Sequence, residues 1–217
     1  VWISGTKLDM NGLEGFGIGA SDGASVSVSG SVVSDNHSSG IIASRSGTTV
    51  TLSDVWVSGT QLDGAGLHGL GVFAQLGASV SVSGSRVSDN HSAGLGALDA
   101  GTILTASDVW VSGTKSRADG FSGFGVMIQD GANLSMSRSG VSDNYDAAVL
   151  FLQAGGSVTE SLLEGTKLGG DLLGDGLTAT GSVVNVDRVI SRDNARAGVL
   201  FDKSEGELSK SLITQNA

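Results

Sequence analysis

VWVSGT at residues 55–60, followed by RVSDN at 86–90, decides how this chain is built. VWISGT stands at 1–6, VWVSGT again at 109–114 and SLLEGT at 161–166, while VVSDN, GVSDN and ISRDN occupy 32–36, 140–144 and 190–194. Aligned on their final residue, the two phrases become one recurring position, held by Thr6, Asn36, Thr60, Asn90, Thr114, Asn144, Thr166, Asn194 and Asn216. Successive members are separated by 30, 24, 30, 24, 30, 22, 28 and 22 residues, so the 54-residue period is two coils, one long and one short. Self-similarity of this kind marks a solenoid, in which each unit buries its apolar face against its neighbours.

Other positions keep their character relative to that column. Eight residues before it stand Val28, Leu52, Val82, Ala106, Met136, Val158, Val186 and Leu208; ten before it, Val26, Val50, Val80, Leu104, Leu134 and Val184, with Gly156 and Gly206 as weak points. Three before it the residue is aliphatic from Ile3 to Ile213 except at Ser191. A spacing of two inside these segments predicts strands with one buried face. A further apolar run follows each Asn: GIIA at 40–43, GLGA at 94–97, AVLF at 148–151 and GVLF at 198–201. Three short strands per coil, separated by Gly, Ser, Asp and Asn, predict an all-β parallel β-helix of about nine coils. No helical stripe persists anywhere in the chain.

Composition agrees. Gly at 35 of 217 residues is roughly twice average usage without a collagen-like triplet, and 39% hydrophobic residues argue against disorder. With no Pro, the strands can donate a full ladder of hydrogen bonds. The absence of Cys removes disulfides, thiolate metal sites and a Cys nucleophile. A net charge of −10 disfavours nucleic acid or an anionic membrane surface as partner, and no apolar run approaches the ~20 residues of a membrane span. Because the chain opens and closes inside repeats, residues 1–217 are expected to be one β-helix domain cut from a longer solenoid. Flanking coils or domains, or end-to-end association, would then cover its strand edges.

VSDN followed by GI and alternating valines resembles the right-handed parallel β-helix family, which includes pectate lyases and many secreted repeat proteins. The resemblance covers the whole chain and implies a right-handed coil. Alternating long and short coils ending in DN and GT also resemble repeat proteins of myxobacteria and related bacteria. Leucine-rich repeats fit less well, since Ser29 and Ser31 stand where leucines are needed. The family implies a secreted or cell-surface location.

Candidate sites fall into three groups. Trp2, Trp56 and Trp110 lie between core aliphatic residues, so alternation points them outward, with Arg86 between two of them as a cation–π partner. Such an apolar stripe suits a partner domain or subunit, or sugar rings, unless a strand bend buries the indoles. Long coils carry insertions after the Thr at 7–16, 61–70, 115–124 and 167–176, and insertions in repeat proteins gather on one face, often the binding face. The second of them adds His68 to the candidate contacts. The oxygens of Asp9, Asn11, Asp63, Asp119, Asp171 and Asp175 suit a hard cation such as calcium, although no complete EF-hand or RTX signature is present. Asp35, Asp89, Asp143 and Asp193 read as solvated turn residues. Finally, the Ser/Thr run from Ser25 to Ser83 predicts a hydroxyl face, interrupted by Ile103, Asn133 and Glu160.

Catalytic signatures are thin. His37 and His91 are repeat equivalents, and the set Lys115, Arg117 and Asp119 lacks the second acidic cluster that lyase chemistry requires. The expectation is a structural or binding module of a secreted or cell-surface protein, without catalysis or a required cofactor. The alternative is a carbohydrate-active β-helix that binds or cleaves polysaccharide.

Overall fold

The computed structural model describes residues 1–170 and 173–217. Eight coils contribute three strands each, in one of them Trp56–Ser58, Leu70–Gln75 and Ser79–Ser83, and the last contributes Leu212–Thr214 alone. Equivalent strands stack in parallel into sheets of nine, eight and eight strands. The first sheet runs from Trp2–Ser4 to Leu212–Thr214, the second from Ile18–Ser21 to Val199–Asp202, and the third from Ser25–Ser29 to Glu205–Ser209. Among the described residues there is no helix.

The register is that of the repeat. Val33, Val57 and Val87 stack in the first sheet, and Val50, Val80 and Leu104 in the third, all facing a continuous interior. Ser191 breaks the first column without leaving a polar orphan. Its buried hydroxyl donates to the Gly198 carbonyl at 2.8 Å and accepts from Asn194 Nδ2 at 3.1 Å.

One local conformation explains why the phrases read SGT and SDN. The residue before the Thr or Asn is left-handed in every coil: Gly5, Asp35, Gly59, Asp89, Gly113, Asp143, Gly165, Asp193 and Gln215 have φ between 53° and 71°. Gly adopts this region freely, and Asp is among the few L-residues that tolerate it. Alternation also solves a spacing problem. A Cβ on Gly59 would lie 2.6 Å from Asp35 Oδ1, so the carboxylate of one coil occupies the space that glycine leaves open in the next.

The Asn/Thr column forms as expected, but its hydrogen bonds run from backbone to side chain. Oδ1 of Asn36, Asn90, Asn144 and Asn194 accepts the backbone N–H of Thr6, Thr60, Thr114 and Thr166 at 2.9–3.2 Å. Side chain meets side chain where two amides are adjacent, Asn194 Nδ2 donating to Asn216 Oδ1 at 2.9 Å. Between them a threonine hydroxyl is too short to continue an amide ladder; the buried Thr60, Thr114 and Thr166 Oγ1 atoms have no partner.

The second sheet differs from the other two. Its inner face carries Ile41, Val72, Leu95 and Val126, and its outer face is also apolar, with Ile42, Phe73, Gly96, Met127 and Leu150 in register. Small satellite cores form on that outer face around Leu70, Phe73 and Ala93, and around Phe124, Ala147 and Leu150. The insertions stack into a ridge along this sheet. Gly64 N–H donates to the Gly12 carbonyl at 2.8 Å, Ala118 to Gly66 at 3.1 Å and Gly170 to Gly120 at 3.1 Å.

Candidate functional site

The outer face of the first sheet carries a single row from Trp2 through Val32, Trp56, Arg86 and Trp110 to Gly140, then Leu162, Ile190 and Leu212. The indoles point outward, with Trp2, Trp56 and Trp110 exposed by 75%, 47% and 40%. No strand bend buries them. Each ring leans towards the following coil. The N–H of Trp2 donates to Ser34 Oγ at 3.3 Å, and that of Trp56 to Ser88 Oγ at 3.1 Å. Trp110 lies across Gly140, where a Cβ would come within 2.1 Å of a ring carbon.

This common lean corrects one expectation. Arg86 stands beside both Trp56 and Trp110 in register, yet its guanidinium carbon sits over Trp56, 6.0 Å from the ring centroid, and is not sandwiched between two rings. Trp56 leans onto Arg86; Trp110 leans away from it.

Next to the row is a feature absent from the sequence reading. At the corner between the third and first sheets, Asp108, Arg138, Glu160 and Arg188 stack as alternating charges. Arg138 donates Nε and Nη2 to the two Asp108 oxygens at 3.0 and 2.8 Å, and Arg188 donates Nε to Glu160 at 3.1 Å. The Arg138 guanidinium holds the Asp108 carboxyl below its usual range. With Trp110, Gly140, Leu162 and Ile190 these side chains line a groove of about 620 Å³. A smaller one of about 430 Å³ lies between Val32, Trp56 and Arg86. Glu160 is therefore a corner residue and does not interrupt the hydroxyl face, which remains continuous through Ser81, Thr105, Ser135 and Ser157. Its signal was the recurrence of Asp, Arg or Glu one position after the third strand.

The loop carboxylates are dispersed, and most of them are bound within their own loops. Asp9 Oδ1 accepts the N–H groups of Asn11 and Leu13 at 3.1 and 2.8 Å, and its Oδ2 accepts Asn11 Nδ2 at 3.0 Å. Asp119 accepts the Phe121 N–H and pairs with Arg117 at 2.7 Å. Asp175 is not a loop residue: it opens the strand Asp175–Thr180, is fully buried, and is clasped by the Arg196 guanidinium and the Ala197 N–H. Asp171 lies outside the described residues. Among the described residues, no three His, Asp or Glu side chains come together as a metal cage.

Asp63 and His68, predicted for separate roles, are partners. Asp63 accepts the N–H groups of Ala65 and Leu67 at 3.0 and 2.9 Å and binds His68 Nδ1 at 2.6 Å. His37 and His91 instead place Nδ1 at 3.1 and 3.0 Å from the Thr6 and Thr60 carbonyls, as repeat equivalents should.

Three in-register parallel sheets, a left-handed residue at the same place in each coil and an Asn/Thr column define a parallel β-solenoid. The family described as "Right handed beta helix region" matches residues 1–115 and 71–217. The chain belongs to that family. Comparison with curated protein sequences gives no match. Among solved structures, the crystal structure of pectate lyase Pel9A is similar, with a TM-score of 0.48 and 13% identity, over 81% of this chain and 49% of that one. The chain thus spans about half the length of that lyase.

Proposed function

We propose that this β-helix is a non-catalytic binding module that holds an extended, uncharged polysaccharide against the tryptophan row of its first sheet, at a cell surface or outside the cell. The observation that carries this reading is the row itself: three exposed indoles on a rigid sheet, recurring every second coil. Two strand spacings place them on the order of 9–10 Å apart, comparable with the disaccharide repeat of an extended glycan. Sugar rings present C–H faces to aromatic rings, and Arg86 supplies donors to hydroxyl groups between two of the indoles. Hydrogen bonds to Ser34 and Ser88 hold two of the rings, so little side-chain freedom is lost on binding. The charge of −10 favours a neutral polymer over an acidic one.

A glycan array followed by calorimetry on the best oligosaccharide tests the reading. Neutral linear glycans should bind, and Trp56→Ala should weaken them at least tenfold while Trp56→Phe retains part of the affinity. The reading is lost if the array is blank or if the native and Trp56→Ala proteins bind alike. The aliphatic half of the row supports a second reading for that half alone. Leu162, Ile190 and Leu212 beside the charged corner have the apolar core and polar rim of a protein–protein contact.

A further inference from the structure

The insertions at 7–16 and 61–70 share one architecture, although five of their ten residues differ. Both fold around an aspartate that accepts backbone N–H groups two and four residues later, Asp9 in the first and Asp63 in the second. In the first, GLEG at 12–15 places Glu14 where GLHG at 66–69 places His68. In the first loop Asn11 Nδ2 fills the second carboxylate oxygen; in the second, where Ala65 stands in the place of Asn11, His68 Nδ1 fills it, with a ring that brings a second nitrogen to the loop. What the histidine adds is a fixed tautomer. Burial raises the Asp63 carboxyl, but the Leu67 N–H, the His68 ring and the Ala65 N–H together leave it below its ordinary range. An ionised Asp63 accepts, so Nδ1 carries a proton and Nε2 is the ring nitrogen left for a ligand. The Asp63 side chain is 2% exposed and that of His68 57%, which leaves the ring accessible above a buried base.

This pair borders a cavity of about 270 Å³ between the first two loops and the outer face of the second sheet. Its apolar walls are Leu13, Phe16, Ile42, Leu70 and Phe73. We propose that this cavity is a binding site for a small neutral hydroxyarene, whose ring packs between Phe16, Ile42 and Phe73 and whose hydroxyl donates to His68 Nε2. Ser38, Ser39 and Gln75 complete the lining; a pocket with apolar walls and a few convergent polar groups is the usual form of a small-molecule site, and this volume accommodates a single ring. The hydroxyl is specified by Nε2, the ring nitrogen that Asp63 does not take. Neutrality is specified by the ionised Asp63 beneath the ring, because an anion would be repelled. The site is separate from the tryptophan row and stands whether or not that row binds glycan.

p-Cresol and toluene differ by the hydroxyl alone and serve as the probe pair. In the native protein, p-cresol should bind saturably, shift the His68 Nε2 resonance in a ¹H–¹⁵N imidazole spectrum, and bind at least tenfold more tightly than toluene. His68→Leu should equalise the two ligands, at a lowered thermal midpoint because the buried Asp63 Oδ2 loses its partner, and Phe73→Ala, which keeps the Asp63–His68 pair, should weaken both ligands while p-cresol stays the tighter. Equal affinities in the native protein would overturn the proposal. So would a preference for p-cresol that survives His68→Leu, or the absence of saturable binding by either ligand at millimolar concentration.

Discussion

Asn90 illustrates how much rests on one side chain inside a coil. Its carbonyl satisfies the Thr60 N–H at 3.0 Å in the interior, and its amide reaches the Val57 carbonyl at 3.4 Å. Asn90→Ala strands a buried donor and should cost about 1–3 kcal/mol, read as a lower urea midpoint at unchanged slope. Asp89, next to it, has φ +58°. Asp89→Val should therefore cost about 1–2 kcal/mol more than Asp89→Gly, because a β-branched residue resists the left-handed region. Asp63 predicts a pH effect. Its carboxyl in the folded chain lies below the ordinary value of 3.8, so its contribution is present above that value and is lost as the pH falls through the folded one. Urea unfolding followed from about pH 5 to pH 2 should show a shallower acid loss in Asp63→Asn than in the native protein.

At the level of sheets and corners, the lean of the indoles decides what the row can do. Gly140 leaves the space that the Trp110 ring occupies. Gly140→Val should displace that ring, raise its exposure to acrylamide quenching and alter the groove without disturbing the ladder, since valine suits a strand. By contrast, the Asp108–Arg138 pair is more than half exposed on both sides. Arg138→Ala should leave the urea midpoint nearly unchanged despite its bidentate geometry, and more nearly so in high salt. A larger loss would mean that the corner ladder acts as one unit. The second sheet shows why one element was read incompletely. GIIA and AVLF lack alternation, and a run apolar on both faces is the signal of a strand covered on both sides. Both runs were visible in the sequence, while their outer cover was not, because the covering residues Phe16 and Leu70 belong to insertions whose path has no periodicity.

For the molecule as a whole, stability is spread along the stack, since each coil touches only its neighbours. Leu104 is fully buried between Val80 and Leu134, and Leu104→Ala should cost about 2–5 kcal/mol, as a core truncation does, with the whole loss felt by three adjacent coils. Amide exchange should localise there; uniform loss of protection along the chain would contradict this one-dimensional behaviour.

The sequence by itself determined the coils, their alternating lengths, the interior columns and the alignment of Trp2, Trp56 and Trp110 in one row, whose exposure the structure supplied. Parallel stacking in register converts a repeat in sequence directly into neighbours in space, so equivalent residues had nowhere else to go. Only the tertiary structure decided that Arg86 meets one ring, that Asp175 is buried against Arg196, and that Asp63 and His68 form a pair at an apolar cavity. Those contacts depend on the direction in which side chains lean and on residues that differ between equivalent insertions, and the repeat of the sequence specifies neither.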